Sequence, residues 1–411
     1  MDEPGPVPGV EAVIADAHRR HWGRVLAATA RHTRDLHLAE DAVADAFAVA
    51  LEVWRSDGVP ASVEAWLLSV ARRRAIDRMR RLGTARRHLA QVRLDDQRDA
   101  ATLASPLDDD ELRLVVLCVH PALSLQLQTA LTLRLACGVD TEAVAAAFLV
   151  PRSTMAARLT RAKKAVVGSG VPLRLPEEAD VTSRLPAVRS VVLHLWSLGH
   201  TTGSGETLRD PRLVRHAFHL ARLLHRLAPR DPESRALLAV LLLHEARSAG
   251  RFRGGDQVLL EDADRSTWDR AAMAEGLGLL EPPVRHPSPL WCRAAIAAEH
   301  ARALAWADTD WESVLRWYDT WLAAEPSATI ALGRVLALAE LRGPERGLAD
   351  LDDLWSVAGA ELEGYPYAHA ARARFLTRLR RQDEALLACR RAEATARSDE
   401  ERAYFAARSR A

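Results

Sequence analysis

Aromatic residues make up only 5% of this 411-residue chain, although hydrophobic residues reach 48%. Alternating Val, Ile and Thr are almost absent too, so extended strands have little to build on. Ala, Leu and Arg dominate instead, and an all-α fold is expected. Cysteine is scarce: Cys118, Cys137, Cys292 and Cys389 include no CxxC pair. They are expected to be reduced, mostly buried thiols of a cytoplasmic protein. No run of 18 apolar residues occurs, so no membrane span is expected. The start, MDEPGPVPGVEAV, is acidic and proline-rich, the wrong composition for a secretory leader. Excess charge is missing as well: 56 Lys+Arg stand against 55 Asp+Glu, for a net charge of +1. Such a chain does not coat nucleic acid along its whole surface, and any contact must come from local patches.

The length argues for two or three domains. Helices are expected over 9–32, 36–56 and 62–88, with Asp57-Gly58-Val59-Pro60 breaking the chain before the third. Residues 89–108 are polar and charge-mixed and read as a linker. A compact helical block follows over 109–168. Gly168, Gly170, Pro172, Pro176 and Pro186 mark a second boundary, giving a linker over 169–185 and a helical domain over 186–411. Within it, 331–353 and 369–391 read as imperfect copies of one helical hairpin, each an Ala/Leu-rich helix, a charged turn and a second helix. Hairpins that cannot bury their own apolar face stack, as in tetratricopeptide-type (TPR) repeats. A generic α-bundle fits the same pattern.

Two segments concentrate positive charge. In VEAWLLSVARRRAIDRMRRL (63–82), Leu67, Ala71, Ala75, Met79 and Leu82 form one apolar helical stripe. Arg73 and Arg80 point away from it, and Arg72, Arg74 and Arg81 flank it. In TEAVAAAFLVPRSTMAARLTRAKKA (141–165), Thr141 reads as a helix N-cap, and Val144, Ala145 and Phe148 face inward. Pro151 separates a second helix, capped by Ser153 or Thr154, with Met155, Leu159 and Ala162 inside. Arg152, Ser153, Thr154, Arg158, Arg161 and Lys164 are left for its outer face. That is a helix-turn-helix with a basic second helix, whose first residues would reach base edges while later Lys and Arg hold phosphates. The plainer reading is a surface helix pair with solvated charges.

The order of these features, arginine helix, spacer, helix-turn-helix, resembles bacterial RNA polymerase sigma factors of the sigma-70 family, extracytoplasmic-function (ECF) class. HRRHWGRVLAATARHTRDLHLAEDAVADAFAVALEVW (18–54) is similar to the polymerase-seating helices of region 2. Residues 63–81 are similar to the region 2 helix that opens and reads the −10 element, and 109–166 to region 4, which reads the −35 element. The remaining helices resemble the TPR-like C-terminal extension of one ECF group. LLLHEARSAGR, AAIAAEHARA, GYPYAHAARARFL and above all Glu261, Asp262, Asp264, Arg265 and Trp268 carry that likeness. Two departures stand out. His194 to His200 lacks an acidic residue that the group carries there. Arg73 stands where many ECF factors carry Asn.

The resemblance implies an all-α sigma factor with region 2 over 1–88, region 4 over 109–168 and a regulatory domain over 186–411. Its implied partners are core RNA polymerase and promoter DNA. A regulatory protein, or a contact within the chain, would engage the C-terminal domain. Asp41, Asp45, Phe47 and Glu52 become candidates for the polymerase surface; Phe47 reads equally as core, and the acids as solvated. Arg72, Arg73, Arg74, Arg78, Arg80 and Arg81 would hold the −10 DNA. Trp66 either stacks on a base or starts the helix core. Arg152, Ser153, Thr154, Arg158, Arg161, Lys163 and Lys164 would serve the −35 element. The alternative is a helical-repeat adaptor whose sigma-like half no longer initiates.

An enzyme is not expected, and neither is a cofactor or a metal. His244-Glu245 begins like a zincin motif, but position 248 is Ser, so two ligands cannot pair on one turn. His120 and His300 are isolated. Glu261, Asp262 and Asp264 suit a capping loop better than a cation site. The chain has no glycine-rich phosphate loop and no nucleophile elbow.

Overall fold

The computed structural model describes residues 9–33, 35–81, 109–148, 150–168, 178–200, 210–250, 252–253, 256–396 and 399–408. Helix dominates them, and the only strand pairing among them is a two-residue antiparallel ladder, Phe252 against Gln257 and Arg253 against Asp256. The chain divides into two compact units.

The first unit holds α1 (Val10–Thr33), α2 (Leu36–Asp57), α3 (Val63–Arg81), α4 (Asp110–Cys118), α5 (Leu125–Leu135), α6 (Thr141–Ala147), α7 (Arg152–Gly168), α8 (Glu178–His200) and α9 (Pro211–Leu227). α1, α2 and α3 pack on one another as a three-helix bundle. Asp35 starts α2 by accepting hydrogen bonds from the His37 and Leu38 amides at 2.9 and 3.0 Å. Gly58 ends it with φ 82°, a conformation that L side chains rarely adopt. Leu38, Ala42, Ala75 and Met79 form the α2–α3 core. The small Ala71 and Ala75 are fully buried and let the backbones approach. Leu82, the last residue of the expected stripe, lies outside the described residues, as does the rest of the expected helix beyond Arg81.

α4 is capped by Asp109, which accepts from the Glu111 and Leu112 amides at 3.0 Å each. α6 is capped by Asp140, not Thr141: the Asp140 carboxylate takes the Ala143 amide at 2.7 Å, and Thr141 is the first helical residue. α7 begins at Arg152, so Ser153 and Thr154 lie inside its first turn rather than at its cap.

The expected boundary at 169–185 does not separate the two units. α8 runs through Pro186 as one helix and packs on α5, with Val181, Leu185, Val188, Val191 and Val192 buried. A proline inside a helix removes one backbone hydrogen bond. Here the buried apolar face outweighs that loss, since packing rather than propensity supplies most helix stability. Arg184 donates to the Val116 carbonyl at 2.9 Å and Thr129 to Ser190 at 3.1 Å. α9 packs on α8.

The second unit holds α10 (Pro232–Glu245), α11 (Arg270–Gly278), α12 (Pro289–Arg302), α13 (Trp311–Ala324), α14 (Ala328–Arg342), α15 (Pro344–Glu363), α16 (Pro366–Arg378), α17 (Gln382–Thr395) and α18 (Asp399–Arg408). α10 is buried from Ala236 to Leu243, the mark of a helix at the centre of its unit. From α12 on, each helix packs on the next. α14–α15 and α16–α17 are the two hairpins that the sequence repeat picks out. Gly347 is required between them: a Cβ there would strike Ala339 and come within 3.0 Å of Phe375.

The acidic signature has structural work in this unit. Glu261 and Glu340 both accept from Arg374, at 2.6 and 3.0 Å, and Arg378 adds a bond to Glu340 at 2.8 Å. Asp264 caps a short 3-10 turn through the Ser266 amide at 2.9 Å. Arg265 is buried and donates to the His300 and Ala303 carbonyls at 2.7 and 2.8 Å, satisfying the end of α12. Its guanidinium lies 4.8 Å from the Trp268 ring centre.

Candidate nucleic-acid interface

α3 separates its two faces cleanly. Leu67, Ala71, Ala75 and Met79 are buried, while Arg72, Arg73, Arg74, Arg80 and Arg81 are exposed. About two and a half turns of helix therefore bring five guanidinium groups to the exposed side of α3 in a nearly neutral chain. Arg73 makes only a local bond to Ser69 at 3.1 Å. Arg78 differs: it is half-buried and reaches across to α2, where it pairs with Asp41 and, at 2.9 Å, with Asp45. Burial works against its charge, yet its bonds and charge pairing with those carboxylates hold its pKa above the ordinary arginine value.

Trp66 is half-buried and meets Trp54 edge-on, with ring centres 5.4 Å apart. Its body belongs to the bundle, and part of its surface stays open. Phe47 is not a surface residue. It is 6% exposed and packed against His18 and Trp22, with ring centres at 5.2 and 5.9 Å. Burial, aided by the charges of Arg134 and Arg19, lowers the His18 pKa. Of the acids read as a polymerase surface, Asp41 and Asp45 are engaged by Arg78, and Glu52 stands exposed.

α6 and α7 form the helix-turn-helix pair. Val144 and Ala145 of α6 and Met155, Leu159, Ala162 and Val166 of α7 are buried, and Phe148 between the helices is half-buried on His194 of α8, their rings stacked 5.3 Å apart. Arg152, Ser153, Arg161 and Lys164 are exposed, and Thr154 and Arg158 half-exposed. Lys163 turns the other way and pairs with Glu40 of α2. Arg158 and Arg161 also border a groove of about 480 Å³ between α5 and α7, lined by Leu123, Leu127, Phe148 and Met155.

The α1–α3 bundle joins α4 and the end of α5 tightly. The Trp22 indole donates to the Leu135 carbonyl at 3.0 Å, and Arg24 pairs with Glu111 at 2.8 Å. Between them Gly23 passes so close that a Cβ there would overlap the Ala136 carbonyl oxygen. The acidic edge of α2, Glu40, Asp41 and Asp45, thus holds one cation from each basic helix. Sequence reasoning missed these pairings, because the partners stand 33, 37 and 123 residues apart.

No helix is long and apolar enough to cross a membrane among the described residues. No solved structure matches the chain. Residues 17–85 match the sigma-70 region 2 family, and residues 184–283 match a family of unknown function, DUF6596. An uncharacterized protein of Rhizobium meliloti (strain 1021) is 38% identical over 405 residues, 96% of this chain and 94% of that protein. Region 2 is the domain through which sigma-70 proteins bind core RNA polymerase, and in this chain it comprises α1, α2 and the arginine-faced α3. The chain belongs to one family with the Rhizobium meliloti protein, and its residues 17–85 carry a sigma-70 region 2 segment.

Proposed function

We propose that the chain is an ECF-type sigma factor, a transcription initiation subunit that seats core RNA polymerase on promoter DNA. The observation that carries this reading is the exposed arginine row of α3, set on a segment that matches sigma-70 region 2. α3 holds and melts the −10 DNA through Arg72, Arg73, Arg74, Arg80 and Arg81, with Trp66 beside a base. Arg78 joins them once it leaves Asp41 and Asp45. A partly exposed ion pair of this kind is worth only about 0.2–1 kcal/mol, so a phosphate exchanges for it at little cost. α7 reads the −35 DNA with Arg152, Ser153 and Thr154, and grips phosphates with Arg158, Arg161 and Lys164; Lys163 must first leave Glu40. Asp41, Asp45 and Glu52 face the polymerase. No bond chemistry is involved, and the protein works by binding energy alone.

The helices of the second unit, α10 to α18, form a TPR-like regulatory domain in this reading. Because α8 and α9 pack with the helix-turn-helix, regulation is to be tested by ending the chain after Leu227 and not near residue 170. Run-off transcription with core polymerase on a genomic promoter library, full chain against shortened chain, is the experiment. Promoter-dependent transcripts with different yields are expected. No transcripts from the full chain would overturn the sigma-factor reading, and equal yields would remove the regulatory one. A second reading, an adaptor that binds core without initiating, draws on the engagement of Arg78 and Lys163 by α2. Co-purification with core in the absence of transcripts would select it.

A further inference from the structure

α9 carries a second kind of basic surface, within the segment that matches DUF6596. Residues 211–230 contain neither Asp nor Glu. On the 17-residue helix, Val214, Ala217, Leu220, Ala221, Leu223 and Leu224 are buried, and the opposite side is exposed at Arg215, His219, Arg222 and Arg226. At 100° per residue these exposed positions fall on one narrow stripe. His219 is tied to Asp109 at 2.8 Å and is set aside. Among the described residues Arg215 and Arg226 have no ion-pair or hydrogen-bond partner. They lie about 16 Å apart along the helix, the axial rise of about five base pairs of duplex. Arginine at such spacing suits phosphate, which its planar fork binds through two bonds.

The stripe is also fixed to the helix-turn-helix. α9 packs on α8, and α8 is locked to the α4–α7 block by the Phe148–His194 stack, the Arg184–Val116 bond and the Thr129–Ser190 bond. His216 adds a direct pairing of α9 to Glu111 at 3.2 Å. Whatever DNA α7 binds, α9 travels with it as part of the same body.

We propose that α9 is a further duplex-binding surface, in which Arg215 and Arg226 contact the phosphate backbone next to the segment held by α7. This rests on the sigma-factor reading of α7. The contact carries no sequence information. It adds affinity and salt dependence to the grip of α7, and it gives the DUF6596 segment a role in DNA binding.

The test titrates potassium chloride against binding of the full chain to a random-sequence duplex, read by fluorescence anisotropy. R215Q/R226Q should flatten the log–log salt slope by about 1.8, at about 0.9 per phosphate lost. R215K/R226K should keep the slope, which separates charge from packing. An unchanged slope in R215Q/R226Q overturns the proposal, as does a slope lost equally in R215K/R226K. R152Q/R161Q on α7 serves as the independent arm. A loss with the α9 variant but none with the α7 variant would overturn the α7 assignment and leave α9 standing. A wild-type chain with no salt-dependent binding overturns both.

Discussion

On α3, Arg72, Arg74, Arg80 and Arg81 stand exposed, whereas in the second unit Arg265, Arg374 and Arg378 each end on a named oxygen of their own chain. Both sets belong to helix-rich segments of similar composition. The difference lies in what the fold provides opposite them. In the second unit, carboxylates and helix-end carbonyls are already in place, and the arginine completes a packed structure. On α3, the neighbouring acids of α2 engage Arg78, Arg73 bonds to Ser69, and Arg72, Arg74, Arg80 and Arg81 stay exposed. Arginine content therefore says little about function until partners are counted.

The contrast breaks most sharply at Arg265. Arg265→Ala leaves the His300 and Ala303 carbonyls without their donor inside the unit. A loss of about 2–4 kcal/mol is expected, since bonds to charged groups are worth roughly 1.5–3 kcal/mol and orphaned partners add cost. The urea midpoint of the second unit's unfolding measures it. An arginine that mattered only for external binding would leave that midpoint in place.

A smaller effect follows from the same cluster. His300 is stacked on Trp306 and edge-on to Trp311, and burial, then the charges of Arg247 and Arg265, pull its pKa from 6.5 down to about 3. Above pH 6.5 neither folded nor unfolded chain protonates it, and its contribution is full. As pH falls below that value the unfolded chain takes up a proton that the folded one refuses, so stability drops. Between pH 7 and pH 5 this amounts to about 2 kcal/mol at about 1.4 kcal/mol per unit. His300→Phe keeps a ring in the stack and removes the proton, so its acid limb should be shallower by that amount in denaturant titrations at the two pH values.

The smallest effect on stability belongs to α3. R72Q/R74Q/R81Q should change the unfolding midpoint by no more than about 0.5 kcal/mol, as exposed sites away from packed features do. The same variant should flatten the salt slope of duplex binding by up to about 2.7, at about 0.9 per phosphate. Stability loss without a change in slope would mean these arginines resemble Arg265 after all.

Much of this was legible in the sequence because it is local. The α3 stripe, the α7 stripe and the two C-terminal hairpins follow from a period of 3.6 residues, and the structure buries Leu67, Ala71, Ala75, Met79, Met155, Leu159 and Ala162 as that period requires. Phe47 shows the limit. An aromatic residue at helical spacing fits a core or a docking surface equally well, and only its contact with Trp22 decides. Asp41 and Asp45 show another, since nothing near them in sequence announces Arg78. The allegiance of α8 and α9 was hidden by Pro186 and the glycines before it, whose punctuation is real but weaker than the apolar face that α8 lays on α5.

Gly23 leaves the joint between α1 and the end of α5 with no slack. A gap of roughly 0.5–1 Å already forfeits about a quarter to a half of the dispersion attraction, so even a small displacement here weakens the contact. A methyl group at position 23 would force α1 away from the end of α5, and the Trp22–Leu135 and Arg24–Glu111 bonds beside it would lengthen together.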